Sequence, residues 1–192
     1  TKGFGDALEI GYQNREDLFD LNIQKAKLLY EHVFEVDERV IPVSSADEGK
    51  KFKVLKGINP TLIFYELKKL RSLGFESIAI VLMHAYSFYE HEQLIAKMAR
   101  NMGFKRVSVS HEFIPTIKLV ERGDTTVVDA YLTPHIDTYI ETFKSGFENK
   151  LEDSSLSFMQ SLGGLCDANT FSGSNAILSG PAGGVVGLST LY

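Results

Sequence analysis

The clearest alternation of apolar and polar positions lies between residues 59 and 110. Asn59 is placed to cap a helix whose first position is Pro60. Ile63, Leu67 and Leu70 then recur at i, i+4 and i+7, and Gly74 stops the helix. Residues 77–83 (SIAIVLM) are apolar on both faces, the pattern of a central strand. A second helix is predicted over 90–102 on Leu94, Ile95, Met98 and Met102, with Gly103 as its stop, and Val107 and Val109 mark the next strand. Helix–strand–helix–strand with short links predicts parallel pairing and right-handed crossovers.

The pattern is weaker on either side. Residues 1–31 alternate turn signals with short apolar pieces, and Asp20-Leu21-Asn22 leads toward a short predicted helix over 25–30. Residues 33–43 read as a strand with Phe34, Val36 and Val40 on one face and the acidic residues toward solvent, and 44–50 as a polar loop. Another strand is predicted over 114–120, with Glu121-Arg122-Gly123-Asp124 as punctuation. A long helix follows from Asp124 or Thr125 to about Asn149, burying Val127, Val128, Tyr131, Ile136, Tyr139, Ile140, Phe143 and Phe147 and kinked or divided at Pro134. The chain then reads as a strand at 156–159, a Gly163-Gly164 turn, a loop to Ser174, and a short apolar run entering a glycine-rich turn that opens a helix. A boundary is expected between about 110 and 125, giving a small α/β domain over 1–115 and the start of a nucleotide-binding core over 116–192. The fold class is α/β.

Composition narrows the class. A chain of 192 residues, 44% hydrophobic and 23% charged, suits an ordinary globular protein. A formal charge of −5 without a dense Lys/Arg patch gives no case for nucleic acid. The single Cys166 excludes an internal disulfide, and no apolar run approaches the roughly 18 residues of a membrane span. The chain opens without Met, on a stretch (TKGFGD) that reads like the loop after a strand, so it is expected to be a piece of a larger protein.

Two glycine segments carry the candidate chemistry. In residues 176–187 (AILSGPAGGVVG), a tight turn at a helix N-terminus would present unpaired N–H groups and the positive end of the helix dipole to phosphate. The segment lacks the Gly-Lys-Ser/Thr ending of a Walker loop and the Gly-x-Gly-x-x-Gly spacing. Tight packing between helix and strand is therefore the competing reading. Residues 160–164 (QSLGG) form a second glycine turn after a strand, and two such turns can converge on one nucleotide at a sheet edge. His84 reads as a satisfied histidine at a strand end, and His91-Glu92 as first-turn helix residues with Glu92 complementing the dipole. His111-Glu112 reads likewise, and Cys166 has no suitable His near it in sequence to make it a nucleophile. No set of metal ligands has a recognisable spacing.

Residues 14–21 (NREDLFDL), 30–39 (YEHVFEVDER), 129–134 (DAYLTP) and 176–187, in this order, resemble the ATP-dependent 5-oxoprolinases of the hydantoinase/oxoprolinase family. Residues 81–86, His91-Glu92 and 158–164 fit the same pattern, so the resemblance runs the length of the chain. It implies a large cytosolic enzyme that opens 5-oxo-L-proline to L-glutamate with ATP hydrolysis. The nucleotide-binding part would be a fragment of the actin/hexokinase/Hsp70-like (ribonuclease H-like) ATPase fold, preceded by the small α/β domain. Phosphorylating the carbonyl oxygen of a poorly electrophilic lactam creates a leaving group for water to displace, which calls for ATP, Mg²⁺ and backbone donors on the phosphates. The resemblance implies Ser179, Gly180, Gly183 and Gly184 as those donors, and Ser161, Gly163 and Gly164 as a second contact. It leaves the catalytic residues unassigned and names no protein metal ligand.

Leu162 stands where the family usually shows Asp, and an apolar side chain cannot hold a metal-bound water. The family's upstream Gly/Thr phosphate loop lies outside this sequence, so the isolated chain is expected to be inactive. The expected partners are the rest of the same polypeptide and, at full length, a second copy, with neither nucleic acid nor membrane. An N-methylhydantoinase or acetone carboxylase-like ATP-dependent subunit, and a non-catalytic α/β interaction module, are the competing readings.

Overall fold

The computed structural model describes residues 1–12, 19–22, 25–43, 51–151 and 154–191. Most of the 14–21 segment and the polar loop expected at 44–50 lie outside them. The chain is mixed α/β and divides into two compact units, Thr1–Val127 and Val128–Tyr192.

In the first unit a short helix α1 (Ala7–Ile10) precedes an antiparallel ribbon of β1 (Arg39–Pro42) and β2 (Phe52–Lys56). The expected strand over 33–43 is shorter than its pattern suggests, and residues 25–30 are irregular rather than helical. Helix α2 (Pro60–Ser72) starts as its sequence requires: the Asn59 carboxamide oxygen accepts from Thr61 N at 3.0 Å and Leu62 N at 3.3 Å. Such a cap stabilises a helix by about 1 kcal/mol. The helix ends at Leu73-Gly74-Phe75, where Gly74 takes φ +91° and Phe75 N returns to Leu70 O at 3.2 Å.

Helix α3 (Glu90–Asn101) repeats the device. In Met102-Gly103-Phe104, Gly103 takes φ +81° and Phe104 N returns to Ala99 O at 3.3 Å. Only glycine adopts that conformation without strain, and the phenylalanine after it turns back onto the core. Each stop feeds a strand. β3 (Ser77–Ile80) and β4 (Arg106–Val109) pair in parallel, Ser77 opposite Arg106 through Ile80 opposite Val109. Ile63, Leu67, Ile95, Ala99, Val107 and Val109 close the core around them.

The predicted strand over 114–120 is absent. A short helix α4 (Ser110–Phe113) follows β4, and the long helix α5 (Leu119–Ser145) begins several residues earlier than expected. Gly123 is not punctuation: a Cβ there would lie 2.5 Å from Leu8 Cδ2, so the glycine admits α1 against α5. The threonines survive in a helix because their hydroxyls turn back on it, Thr125 to Glu121 O at 2.9 Å and Thr126 to Arg122 O at 2.6 Å. The helix runs through Pro134 undivided.

The second unit contains the rest of α5, a hairpin of β5 (Ser157–Met159) and β6 (Leu165–Asp167), and helices α6 (Gly173–Ala176) and α7 (Ser179–Leu191). Ile140, Ala168 and Phe171 form its buried apolar cluster. Of the residues expected on the buried side of α5, Ile140 is buried and Ile136 packs against it, but the aromatic residues are not. Thr126, Asp129, Ala130 and Thr133 are buried, while Tyr131, Tyr139, Phe143 and Phe147 are exposed.

Candidate functional site

The second unit brings the two glycine segments together. The hairpin turn closes through Gln160 N to Gly164 O at 2.7 Å and Gly163 N to Gln160 O at 2.9 Å. Ser161 leaves this turn toward the start of α7. Its N–H and hydroxyl both donate to Asn175 O at 2.7 Å, and its oxygen accepts from Leu178 N at 3.1 Å. A Cβ on Gly163 would meet Val186 Cγ2 of α7 at 3.3 Å, and one on Gly183 would meet Met159 Cγ of β5 at 3.7 Å. Gly164 lies at the hairpin end, where a Cβ would meet Gln160 Oε1 at 3.8 Å.

Residues 176–187 do not form a strand and a turn. Ala176 ends α6, Ile177 keeps helical torsions, and the glycines lie inside α7 itself. Pro181 tolerates this because a first-turn residue needs no N–H of its own. The first helical bond runs from Ala182 N to Leu178 O at 3.0 Å, which leaves the Ser179 and Gly180 N–H groups ahead of the ladder. Among the described residues nothing lies within 4 Å of a Cβ built on Gly180, Gly184 or Gly187, so packing among them does not require these glycines. Leu162, 96% exposed, stands at the tip of the hairpin.

A polar seam holds the segment before α7 onto α5. The Thr133 hydroxyl donates to Asp129 Oδ1 at 3.1 Å and accepts from Gly173 N at 2.9 Å, and Ser174 N donates to Asp129 Oδ1 at 3.4 Å. A Cβ on Gly173 would lie 2.7 Å from Leu132 Cβ, so only glycine fits the approach. Sequence reasoning missed Asp129 and Thr133. The signal was present: Arg122, Thr126, Asp129 and Thr133 recur at helical spacings of four, three and four.

The first unit holds a second polar cluster, at the carboxyl ends of its parallel strands. Glu92 is fully buried rather than a surface partner of the helix dipole. It accepts from Leu82 N at 2.8 Å and the Ser110 hydroxyl at 2.6 Å, and pairs with His111 Nδ1 at 2.8 Å. Arg122, also fully buried, donates through Nε to Ser110 Oγ at 2.9 Å and through Nη1 to Thr116 O at 2.7 Å. Glu38 does not face solvent either. It pairs with His91 Nδ1 at 2.9 Å and accepts from the Thr1 hydroxyl. His84 is not the satisfied histidine its position suggested, since its buried Nδ1 has no hydrogen-bond partner among the described residues. Cys166 is a free, half-buried thiol on β6.

These environments set a pH dependence. Burial pushes the Glu38 carboxyl up, but the bonds from His91 and Thr1 outweigh it and hold it below the ordinary value of 4.5. Burial, aided by Arg122 and opposed by Glu38, holds His84 below its ordinary 6.5. Both groups bind protons more weakly folded than unfolded, so both make stability fall on acidification. The His84 contribution fades as pH drops below its unfolded value, and the Glu38 contribution as pH drops through the carboxylate range. Urea midpoints followed from about pH 8 to pH 3 should show both declines. Glu38→Gln should remove the lower one; an unchanged acid limb in that variant would contradict the assignment.

Among the described residues no group of three or more His, Cys, Asp and Glu side chains is placed to hold a metal ion. No helix there is long and apolar enough to cross a membrane.

Comparison with known proteins places these features in context. Residues 1–103 match the family described as hydantoinase/oxoprolinase N-terminal region, and residues 122–192 match hydantoinase/oxoprolinase. The chain is 46% identical to a 5-oxoprolinase of Dictyostelium discoideum, over 98% of this chain and 16% of that one. It is 44% identical to 5-oxoprolinase 1 of Arabidopsis thaliana, over 100% and 16% respectively. Among solved structures it superimposes on the ATP-dependent caprolactamase of Pseudomonas jessenii with a TM-score of 0.79 at 28% identity, covering 95% of this chain and 26% of that one. The chain thus spans about a sixth of the length of the curated relatives it matches.

Proposed function

The chain belongs to the hydantoinase/oxoprolinase family, and from that premise we propose that it is part of an ATP-dependent cyclic-amide hydrolase that opens 5-oxo-L-proline to L-glutamate. The 5-oxoprolinases at 44–46% identity favour 5-oxoproline over the larger caprolactam ring, whose ATP-dependent hydrolase is 28% identical. A lactam resists water because nitrogen donates into its carbonyl. A phosphoryl group from ATP on the carbonyl oxygen would suppress that donation, so that water can add at the carbon and the C–N bond can break, the acyl phosphate left behind being hydrolysed in turn.

One observation carries the nucleotide part of this reading: the glycines at the start of α7 face open space. Each glycine inside a helix costs roughly 0.5–1 kcal/mol relative to alanine. Gly180, Gly183, Gly184 and Gly187 all lie in one helix of 13 residues, yet Gly180, Gly184 and Gly187 have no close neighbour that would exclude a methyl group. Ser179 and Gly180 offer N–H donors at the positive end of that helix, and Ser161 fixes the residues just before it. This arrangement suits an anion approaching the backbone. The role of Ser161 is to position α7, and that of Gly163 is to let the hairpin lie against Val186. Gly164 ends the hairpin turn and is assigned no direct contact. These residues supply no ligand set for Mg²⁺, and none is assigned to it.

The test is ATP hydrolysis by the intact polypeptide with 5-oxo-L-proline, ε-caprolactam or a hydantoin. The expected result is phosphate release coupled stoichiometrically to glutamate with 5-oxoproline alone, and no turnover by the 192-residue chain by itself. Glutamate formation without ATP consumption would overturn the reading.

A further inference from the structure

The second unit carries more apolar surface than its own core can use. Its buried cluster consists of Ile140, Ala168 and Phe171, while α7 buries none of its residues. Val185, Leu188 and Leu191 are 69%, 61% and 83% exposed and recur every third residue, which places them along one side of the helix. Tyr139 and Phe143 on α5 and Phe147 just past its end recur every fourth residue with ring centroids 6.4 and 5.1 Å apart, and these rings are exposed as well. Isolated exposed apolar residues need no explanation, but two ordered stripes in so small a unit mark surfaces that something else covers.

We infer that both stripes are interior faces, covered by the remainder of the same polypeptide rather than by a second copy or a separate partner. The relatives are about six times as long as this chain, so most of a relative's polypeptide lies outside the matched region. The caprolactamase chain with this fold likewise holds the matched region as 26% of its length. The covering surface is apolar, because neither stripe offers it a charge at the positions that define the stripe. The inference rests on family membership and is independent of the substrate.

The experiment uses the intact polypeptide with Cys166→Ser and every other maleimide-reactive cysteine replaced, bearing one reporter thiol at a time: Tyr139→Cys, Leu188→Cys, or Lys68→Cys on the exposed side of α2. Both stripe positions should react with a maleimide at least about tenfold more slowly than Lys68→Cys, which corresponds to roughly 1.4 kcal/mol of protection. That protection should persist on dilution. Hydroxyl-radical footprinting of the unsubstituted protein reads Tyr139, Phe143 and Leu188 directly and does not depend on how a variant folds. Labelling as fast as at Lys68→Cys, strong oxidation of the native side chains, or protection lost on dilution would overturn the inference, the last by identifying a second copy as the cover.

Discussion

Replacing Gly180 by Asp in the intact protein is expected to weaken ATP binding about a hundredfold and to leave the thermal midpoint unchanged or slightly raised. A Cβ at Gly180 meets nothing within 4 Å among the described residues, so none of them excludes the new side chain. A carboxylate in the first turn of a helix complements its dipole by about 0.3–1 kcal/mol. The same charge occupies the approach to the Ser179 and Gly180 N–H groups and repels phosphate. Loss of one or two hydrogen bonds to a charged group, at roughly 1.5–3 kcal/mol each, gives the hundredfold figure. Gly180→Ala is the intermediate case: the methyl group stabilises the helix and blocks close approach, so stability rises while affinity falls. Isothermal titration with ATP, beside a thermal melt, separates this from the packing reading, under which neither substitution would alter ATP affinity.

The largest effect on stability is expected at Glu92. Its carboxylate has no solvent exposure and satisfies Leu82 N, the Ser110 hydroxyl and His111. Ser110 passes the link on to the guanidinium of Arg122, itself fully buried. Glu92→Ala therefore leaves a buried cation without its nearest anion and several donors without an acceptor. Breaking such a network from one side costs about 3–5 kcal/mol. Glu112 provides the contrast. It lies half-exposed, 4.0 Å from Arg100, and Glu112→Ala should change stability by no more than about 0.5 kcal/mol. Urea unfolding of both variants decides the matter. Equal shifts in the two would mean that Glu92 is no hub.

The same contrast explains what could be read from the sequence. The stretch from α2 to β4 was legible because its signals are local: Asn59 before Pro60, apolar residues at helical spacing, glycines at both helix stops. Glu92 was misread because a carboxylate in a first turn has a satisfactory surface role. Its burial depends on Ser110, His111 and Arg122, which are distant in sequence. Part of the buried side of α5 was misassigned for a related reason. Large aromatic rings bring more apolar surface than threonine or aspartate, yet Thr133 and Asp129 are buried because Gly173 and Ser174 meet them there. At 176–178 a short apolar run fits a strand as well as a helical turn, and periodicity alone cannot separate the two. The two glycine segments were recognised from sequence, and their meeting through Ser161 and Gly163 was expected of a common site. That α7 takes in the second segment from Ser179 onward, glycines included, was not.

The paired Leu73-Gly74-Phe75 and Met102-Gly103-Phe104 stops have a kinetic consequence. Each ends a helix and aims the chain into a strand using contacts only a few residues apart. The loop-closure entropy spent before β3 meets β4 is then largely that of one helical crossover. Such a segment has low contact order and is a natural nucleus. As the chain leaves the ribosome, the first unit can therefore settle around this crossover before the glycine helix of the second unit has been synthesised.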